Sequence, residues 1–104
     1  MNELPEAAFK SWIHSREEDS FGIRVYRPQG YRFPPSRGRT GFEIRPDGAF
    51  VRIDIGPADG TRGIHGRWRT EPGRRVRIQY DDGREETIIL VSVDEDLLKV
   101  QMVP

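Results

Sequence analysis

The fold is decided by the stretch RRVRIQYDDGREETIILVSVDEDLLKVQMV, residues 74–103. Apolar and polar side chains alternate over Val76–Tyr80, which is typical of a strand with one buried face. Asp81-Asp82-Gly83 then reverses the chain, and Asp94-Glu95-Asp96 reverses it again after a second apolar run. Three strands joined by tight turns predict an antiparallel meander.

The same pattern extends toward the N-terminus. Alternating runs over residues 42–55 and 64–70 are separated by turn signals that contain glycine and proline. In the first run we expect the aliphatic side chains from Val51 onward on the apolar face, and Arg52 and Asp54 on the charged face. Each run is short enough to pair with its neighbour in antiparallel fashion.

A short helix is expected before the strands, over residues 1–12. Pro5 suits a first helical position, and Leu4, Ala8 and Trp12 share one face at four-residue spacing. Such a helix would cover one end of the structure that the strands form.

Strands with one apolar and one charged face must close on themselves to bury the apolar face. We therefore predict an all-β protein, a small antiparallel up-and-down barrel of about seven or eight strands. The chain forms one domain, residues 1–104. Its parts are the short helix, an irregular segment rich in arginine, aromatic residues and proline over 20–41, and the strand meander over 42–104.

Composition excludes several classes of protein. The 104 residues carry 17 basic and 17 acidic side chains and no cysteine, which excludes disulfides and thiolate metal sites. No apolar run approaches the roughly 20 residues of a membrane helix, and Met1–Glu6 lacks the basic start of a signal peptide. We expect a cytoplasmic protein with no membrane partner and no cofactor.

The strands also carry a family resemblance. Residues 41–71 begin Gly-Phe-Glu-Ile-Arg-Pro-Asp-Gly-Ala-Phe and continue through a Gly-Pro-Ala-Asp-Gly loop to Gly-Arg-Trp, and residues 93–100 read Val-Asp-Glu-Asp-Leu-Leu-Lys-Val. These stretches resemble the lipocalin-like (calycin-type) small β-barrels. The chain also resembles short bacterial proteins of unassigned function, in which we expect the patterns of residues 12–19 and 26–39 to recur. The resemblance implies a barrel and ligand binding, and it implies no reaction.

This chain is considerably shorter than a typical lipocalin. Its walls therefore enclose less space, and we expect Phe42, Trp68, Tyr80 and the aliphatic side chains to fill most of the interior. A deep lipid pocket is not expected.

Residues 12–19, Trp-Ile-His-Ser-Arg-Glu-Glu-Asp, gather a histidine, a hydroxyl and three carboxylates. His14 with Glu17 or Glu18 has the chemistry of a base and its orienting carboxylate, or of part of a metal site with oxygen and nitrogen ligands. The alternative is structural, in that the acids pair with arginines of residues 26–39 and hold that irregular segment in place.

Residues 26–39 interleave aromatic rings with arginine. Rings stack on flat ligands or on the bases of single-stranded nucleic acid, and guanidinium groups hold carboxylates or phosphates. The structural alternative is a long loop whose aromatic side chains fold under it and cover the barrel mouth. We expect a ligand site where this segment meets the mouth of the barrel, and we assign no catalytic and no metal-binding residue. The predicted ligand-binding residues are Trp12, His14, Tyr26, Tyr31, Phe33, Arg37 and Arg39.

An arginine-rich face is a second candidate surface, because residues 23–77 carry thirteen arginines against five acids. The residues expected together on the polar face of the middle strands are Arg52, His65, Arg67, Arg69, Arg75 and Arg77. A wall neutralised by salt bridges is the simpler interpretation. Binding of nucleic acid or of an acidic partner is the alternative, and the sequence pI near 6.7 argues against a dedicated nucleic-acid binder.

The sequence therefore favours a non-enzymatic barrel that binds a small molecule or a protein partner near its mouth. The alternatives are nucleic-acid or acidic-partner binding through the arginine face, and a small enzyme centred on His14 and Glu17. The sequence contains no phosphate-binding loop, nucleophile elbow or His-Glu-x-x-His motif. Association as a homodimer through exposed edge strands is a further alternative.

Overall fold

In the computed structural model, which describes residues 4–36, 38–55 and 61–103, the chain forms eight antiparallel strands and two single-turn 3-10 helices. The helices are η1 (Glu6–Ala8) and η2 (Arg16–Glu18). The strands are β1 (Ser11–His14), β2 (Ile23–Pro28), β3 (Gly41–Ile44), β4 (Ala49–Ile55), β5 (Thr61–Glu71), β6 (Arg75–Tyr80), β7 (Glu85–Val93) and β8 (Leu98–Met102). Within those ranges, no helix has the length and apolar character needed to span a membrane.

The eight strands close into a barrel, which confirms the predicted all-β fold. From β3 to β8 each strand pairs with the next along the chain, as in a meander. The order departs from a simple up-and-down barrel at one place. Here β1 lies between β2 and β3, with Trp12 opposite Pro28 on one side and Phe42 on the other. β2 then pairs with β8 and closes the barrel, so the β2–β3 connection crosses β1.

Large apolar side chains fill the interior of the barrel. Trp12 and Ile78 are fully buried, and Phe42, Trp68 and Tyr80 are no more than 7% exposed. All five belong to one hydrophobic cluster that draws on strands from β1 to β8. The expectation that aromatic side chains fill this short barrel is confirmed.

The N-terminal segment covers one end of the barrel. Ala8, at the end of η1, is fully buried, and its carbonyl oxygen accepts a 3.0 Å hydrogen bond from Trp12 Nε1. The Phe9 and Trp68 rings lie 6.0 Å apart at the same end. The expected helix is thus a single 3-10 turn rather than a helix over residues 1–12, because β1 begins within that range and pairs on both sides.

The expected orientation of β4 is wrong. Arg52 is opposite Phe42 on β3 and Ile64 on β5, so it lies on the inner face with them, and Val51 faces outward. Phe50 fixes this orientation, because its ring packs 5.3 Å from that of Phe42 in the core. Burying an aromatic ring stabilises the fold more than burying a valine. Arg52 therefore does not share a face with the arginines of β5 and β6.

Candidate functional site

Polar side chains line the interior at the end of the barrel opposite η1. We call this end the mouth and define it by Arg24, Tyr26, Arg52, Tyr80 and Glu86, which come from β2, β4, β6 and β7. They border a cavity of about 50 Å³. Such a volume holds a few water molecules or one small polar group, and it is too small for a lipid chain.

Three of these side chains are joined by polar contacts. The Tyr80 hydroxyl donates a 3.1 Å hydrogen bond to Glu86 Oε1. Arg52 Nε donates to Asp54 Oδ1 at 3.1 Å, and Arg52 Nη1 lies 3.8 Å from Glu86 Oε2. Arg24 differs from Arg52, because no carboxylate in the described part of the chain lies within ion-pair distance of it. Its guanidinium interacts with the Tyr26 hydroxyl, and its remaining N–H donors are available to a ligand.

The two tyrosines of the mouth are neutral. Burial raises the pKa of Tyr80 well above its ordinary value of 10, and the charge of Glu86 raises it further. Burial also raises the pKa of Tyr26, against the opposing influence of the Arg24 guanidinium. Both hydroxyls stay protonated at physiological pH. The Tyr80 hydroxyl donates its hydrogen to Glu86, so the Tyr26 hydroxyl is the one that can donate to a ligand. The mouth thus combines an available cation with neutral hydroxyl groups.

A tight turn forms a lip beside the mouth. Ser20 and Ile23 exchange backbone hydrogen bonds of 3.1 and 2.8 Å across it. Between them, Phe21 is fully exposed and has a φ of 49°, a left-handed conformation that is strained for a bulky residue. Arg24 and Met102 border both the mouth cavity and a shallower groove of about 510 Å³ along the lip. Cavity and groove therefore adjoin.

Three of the seven predicted ligand-binding residues are on the inner face of the barrel. Tyr26 lines the mouth cavity. His14 is its cross-strand neighbour, with the two rings 5.1 Å apart and His14 Nε2 2.8 Å from Asp19 Oδ2. Trp12 is fully buried against Ala8 and does not line the mouth cavity.

The other predicted residues belong to the β2–β3 connection. Tyr31 and Phe33 pack edge to face with ring centroids 5.0 Å apart. The Arg27 guanidinium lies 4.8 Å from the Tyr31 ring, and that of Arg39 lies 4.6 Å from the Phe33 ring. None of these side chains lines the mouth cavity. Arg37 lies outside the described residues.

Two arginine–carboxylate forks fasten η2 to the chain that follows it. Arg39 donates to both carboxylate oxygens of Glu17, at 2.8 and 2.5 Å. Arg27 donates to both oxygens of Glu18, at 2.9 and 2.7 Å. The hydrogen bond from Arg39 lowers the pKa of Glu17 to about 2, and the one from Arg27 lowers the pKa of Glu18 to about 2. These are pairs of the kind that the structural interpretation of the acidic stretch predicts.

His14 and Glu17, the proposed centre of an enzyme, have different partners. Glu17 is held by Arg39, and a carboxylate with a pKa near 2 is a weak base. His14 contacts Asp19, whose Oδ1 accepts a 2.8 Å hydrogen bond from the Val25 amide. An acid–base pair at this place would therefore use Asp19 rather than Glu17, and the enzyme alternative stays a prediction.

No family model matches the sequence, and it has no match among the curated proteins or the solved structures. The strand pairing establishes the eight-stranded antiparallel barrel. The lipocalin-like and bacterial assignments depend on the sequence resemblance alone. Over the described ranges, no three His, Asp or Glu side chains are grouped in a way that could hold a metal ion.

Sequence reasoning missed four of the five mouth residues. The aliphatic alternation of β4 misplaces Arg52 on the outer face, and Arg24, Tyr80 and Glu86 belong to no recognisable motif. The signal that identifies Arg52 is Phe50, because an aromatic ring two residues earlier on a strand shares its face.

Proposed function

We propose that the protein is a lipocalin-like, non-enzymatic binding module that takes a small organic anion at its mouth. The observation behind this proposal is the available guanidinium of Arg24 at the border of the mouth cavity, beside the neutral hydroxyls of Tyr26 and Tyr80. A guanidinium holds a carboxylate or phosphate through paired N–H donors. An anionic head group is therefore the ligand chemistry that this arrangement favours.

The size of the mouth supports a ligand with two parts. A cavity of about 50 Å³ admits a head group only, so the remainder would lie in the groove along the lip. That groove has apolar surface from Phe21, Ile23 and Met102. An exposed aromatic ring offers a flat face on which another ring can pack. A small aromatic or branched carboxylate fits both parts, and a protein partner would fit them through a C-terminal carboxylate.

Titration of phenylacetate into ¹⁵N-labelled protein, followed by amide chemical shifts, tests this proposal. We expect saturable shifts around the mouth and about tenfold weaker binding in Arg24→Gln, because the charge-assisted hydrogen bonds are lost. Arg75→Gln is the matched control, since Arg75 is also an exposed arginine but lies at the other end of β6 from Tyr80. That variant should bind like the unmodified protein.

Phe21→Ser tests the contribution of the lip separately. Phe21 is fully exposed, so its removal should leave the fold intact. We expect binding of phenylacetate to weaken about three- to tenfold and binding of acetate to stay the same, because only the first has a ring to pack. If phenylacetate produces no saturable shifts, or if Arg24→Gln and Arg75→Gln weaken binding equally, the mouth is not an anion site.

The bacterial origin and the cytoplasmic location belong to this proposal as predictions. A homodimer also stays a prediction, and it would have to use a surface that leaves the mouth accessible.

A further inference from the structure

The outer face of the β5–β6 hairpin carries a groove of about 190 Å³ that the proposed function does not use. Arg67 and Arg69 of β5 border it together with Arg77 and Gln79 of β6. The strand register explains the grouping, because Arg67 is opposite Gln79 and Arg69 is opposite Arg77. Trp68 borders the groove as well, but its ring is buried on the inner face.

Positive charge exceeds negative charge around this groove. Arg69 and Arg77 face each other directly, an arrangement that destabilises a strand pair unless a counter-charge is present. Glu71 lies 3.6 Å from a terminal nitrogen of each, and Glu85 lies 2.6 Å from Arg77. Both acids are beside Arg77, so the Arg67 end of the groove keeps its positive charge.

Arg67 forms no ion pair with a carboxylate of the described residues. Its Nη2 donates to the carbonyl oxygen of Asp47 at 3.4 Å, which is a weak hydrogen bond. The side chain extends over the β3–β4 turn, where Gly48 has a φ of 92° and a Cβ atom would lie 3.2 Å from Arg67 Nη2. Glycine at this position therefore leaves room for the guanidinium of Arg67, whose other N–H donors have no hydrogen-bond partner among the described residues.

We propose that this groove binds the phosphate group of a phosphorylated ligand, at a site separate from the mouth. A carboxylate offers one planar edge and engages one guanidinium fork. A phosphate offers several oxygens in a tetrahedral arrangement, so it can contact Arg67 and Arg69 at once, beside the amide of Gln79. The phosphate could belong to a free nucleotide or to a nucleic-acid backbone. The groove presents no exposed ring for base stacking, so recognition would depend on the phosphate alone.

The test uses inorganic phosphate, a mononucleotide and a double-stranded oligonucleotide, each titrated into ¹⁵N-labelled protein at fixed ionic strength. We expect saturable shifts in β5 and β6, and about tenfold weaker binding in Arg69→Gln and in Arg67→Gln. Arg75→Gln is the matched control, since Arg75 is on the same outer face but does not border the groove. Its binding should change less than about twofold. Arg24→Gln should leave the phosphate-induced shifts in β5 and β6 unchanged, because the mouth is a different site.

The three probes distinguish the sources of the phosphate. Tight binding of the oligonucleotide would assign the groove to a nucleic-acid backbone if it depends on salt. The number of counterions released on binding, read from the slope of log affinity against log salt concentration, should then fall by about one in Arg69→Gln. Equal binding of the mononucleotide and the oligonucleotide would assign it to free phosphate esters. The proposal is overturned if none of the three probes binds, if Arg75→Gln weakens binding as much as Arg69→Gln, or if a polyglutamate peptide binds as tightly as the phosphates.

Discussion

At the scale of single residues, Gly66 is a position where the barrel wall has no room for a side chain. It is buried on the inner face of β5 opposite Tyr80, and a Cβ atom there would lie 2.5 Å from the carbonyl oxygen of Gln79 and 3.0 Å from Tyr80 Cα. Both are backbone atoms of β6, so neither can move without disturbing the strand pair. We expect Gly66→Ala to lower the free energy of unfolding by about 2–3 kcal/mol, measured by urea titration.

Gly63 supplies the control for this substitution. It lies on the same strand, but an added Cβ would face outward and meet Val51 Cγ1 at 3.2 Å and His65 Nε2 at 3.9 Å, both side-chain atoms. A side-chain methyl can shift by the few tenths of an ångström required. Gly63→Ala should therefore change the unfolding free energy by less than about 1 kcal/mol. Equal losses in the two variants would mean that glycine flexibility, rather than contact with β6, determines the effect.

At the scale of elements, η2 is fastened by carboxylates whose pKa values are low in the folded state. The pKa of Glu18 falls from an ordinary 4.5 to about 2 because Arg27 donates two hydrogen bonds to it. A carboxylate with a lowered folded-state pKa contributes its full stabilisation above pH 4.5. That contribution is lost as the pH falls from 4.5 toward 2. In Glu18→Gln we therefore expect the urea midpoint to decline less over this range than in the unmodified protein.

Glu95→Gln is the matched control for the acid range. Glu95 is exposed, and its carboxylate makes no ion pair with any described residue. Its removal should leave the pH dependence of the urea midpoint parallel to that of the unmodified protein. If the urea midpoint of Glu18→Gln declines with falling pH as steeply as that of Glu95→Gln, the fork to Arg27 does not contribute to stability.

The strands also show how much of the fold can be predicted from the sequence alone. The strands from β3 to β8 could be predicted because each has apolar alternation or a short apolar run and is bounded by a glycine-containing or acidic turn. The position of β1 could not be predicted, because no local sequence pattern indicates that the strand with Trp12 lies between β2 and β3. The composition of the mouth could not be predicted from the sequence for a related reason. Arg52 lies on the inner face only because Phe50 fixes the strand, and competing apolar residues on both faces leave periodicity ambiguous.

At the scale of the whole molecule, closure of the barrel joins the two halves of the chain. β1 and β2 come from the first 28 residues, and they fill the gap between β3 and β8. Without them, the meander would have two unpaired edges and a core exposed on one side, because Trp12 and Tyr26 belong to the same cluster as Trp68. With them, every described strand pairs on both sides. A homodimer would therefore need a surface other than a free strand edge.

This shared core predicts that the barrel unfolds in one cooperative transition. Trp12 and Trp68 are the two tryptophans of the chain, so Trp68→Phe leaves a reporter in β1 and Trp12→Phe leaves one in the meander. In urea, the midpoint of tryptophan emission should match the far-UV circular dichroism midpoint of the same variant within about 0.2 M. The comparison is made within each variant, so a loss of stability from the substitution itself does not affect it. Trp12 emission that changes at lower urea than the circular dichroism would mean that β1 and β2 detach first. The meander would then hold together as an open sheet, and closure would not be what stabilises it.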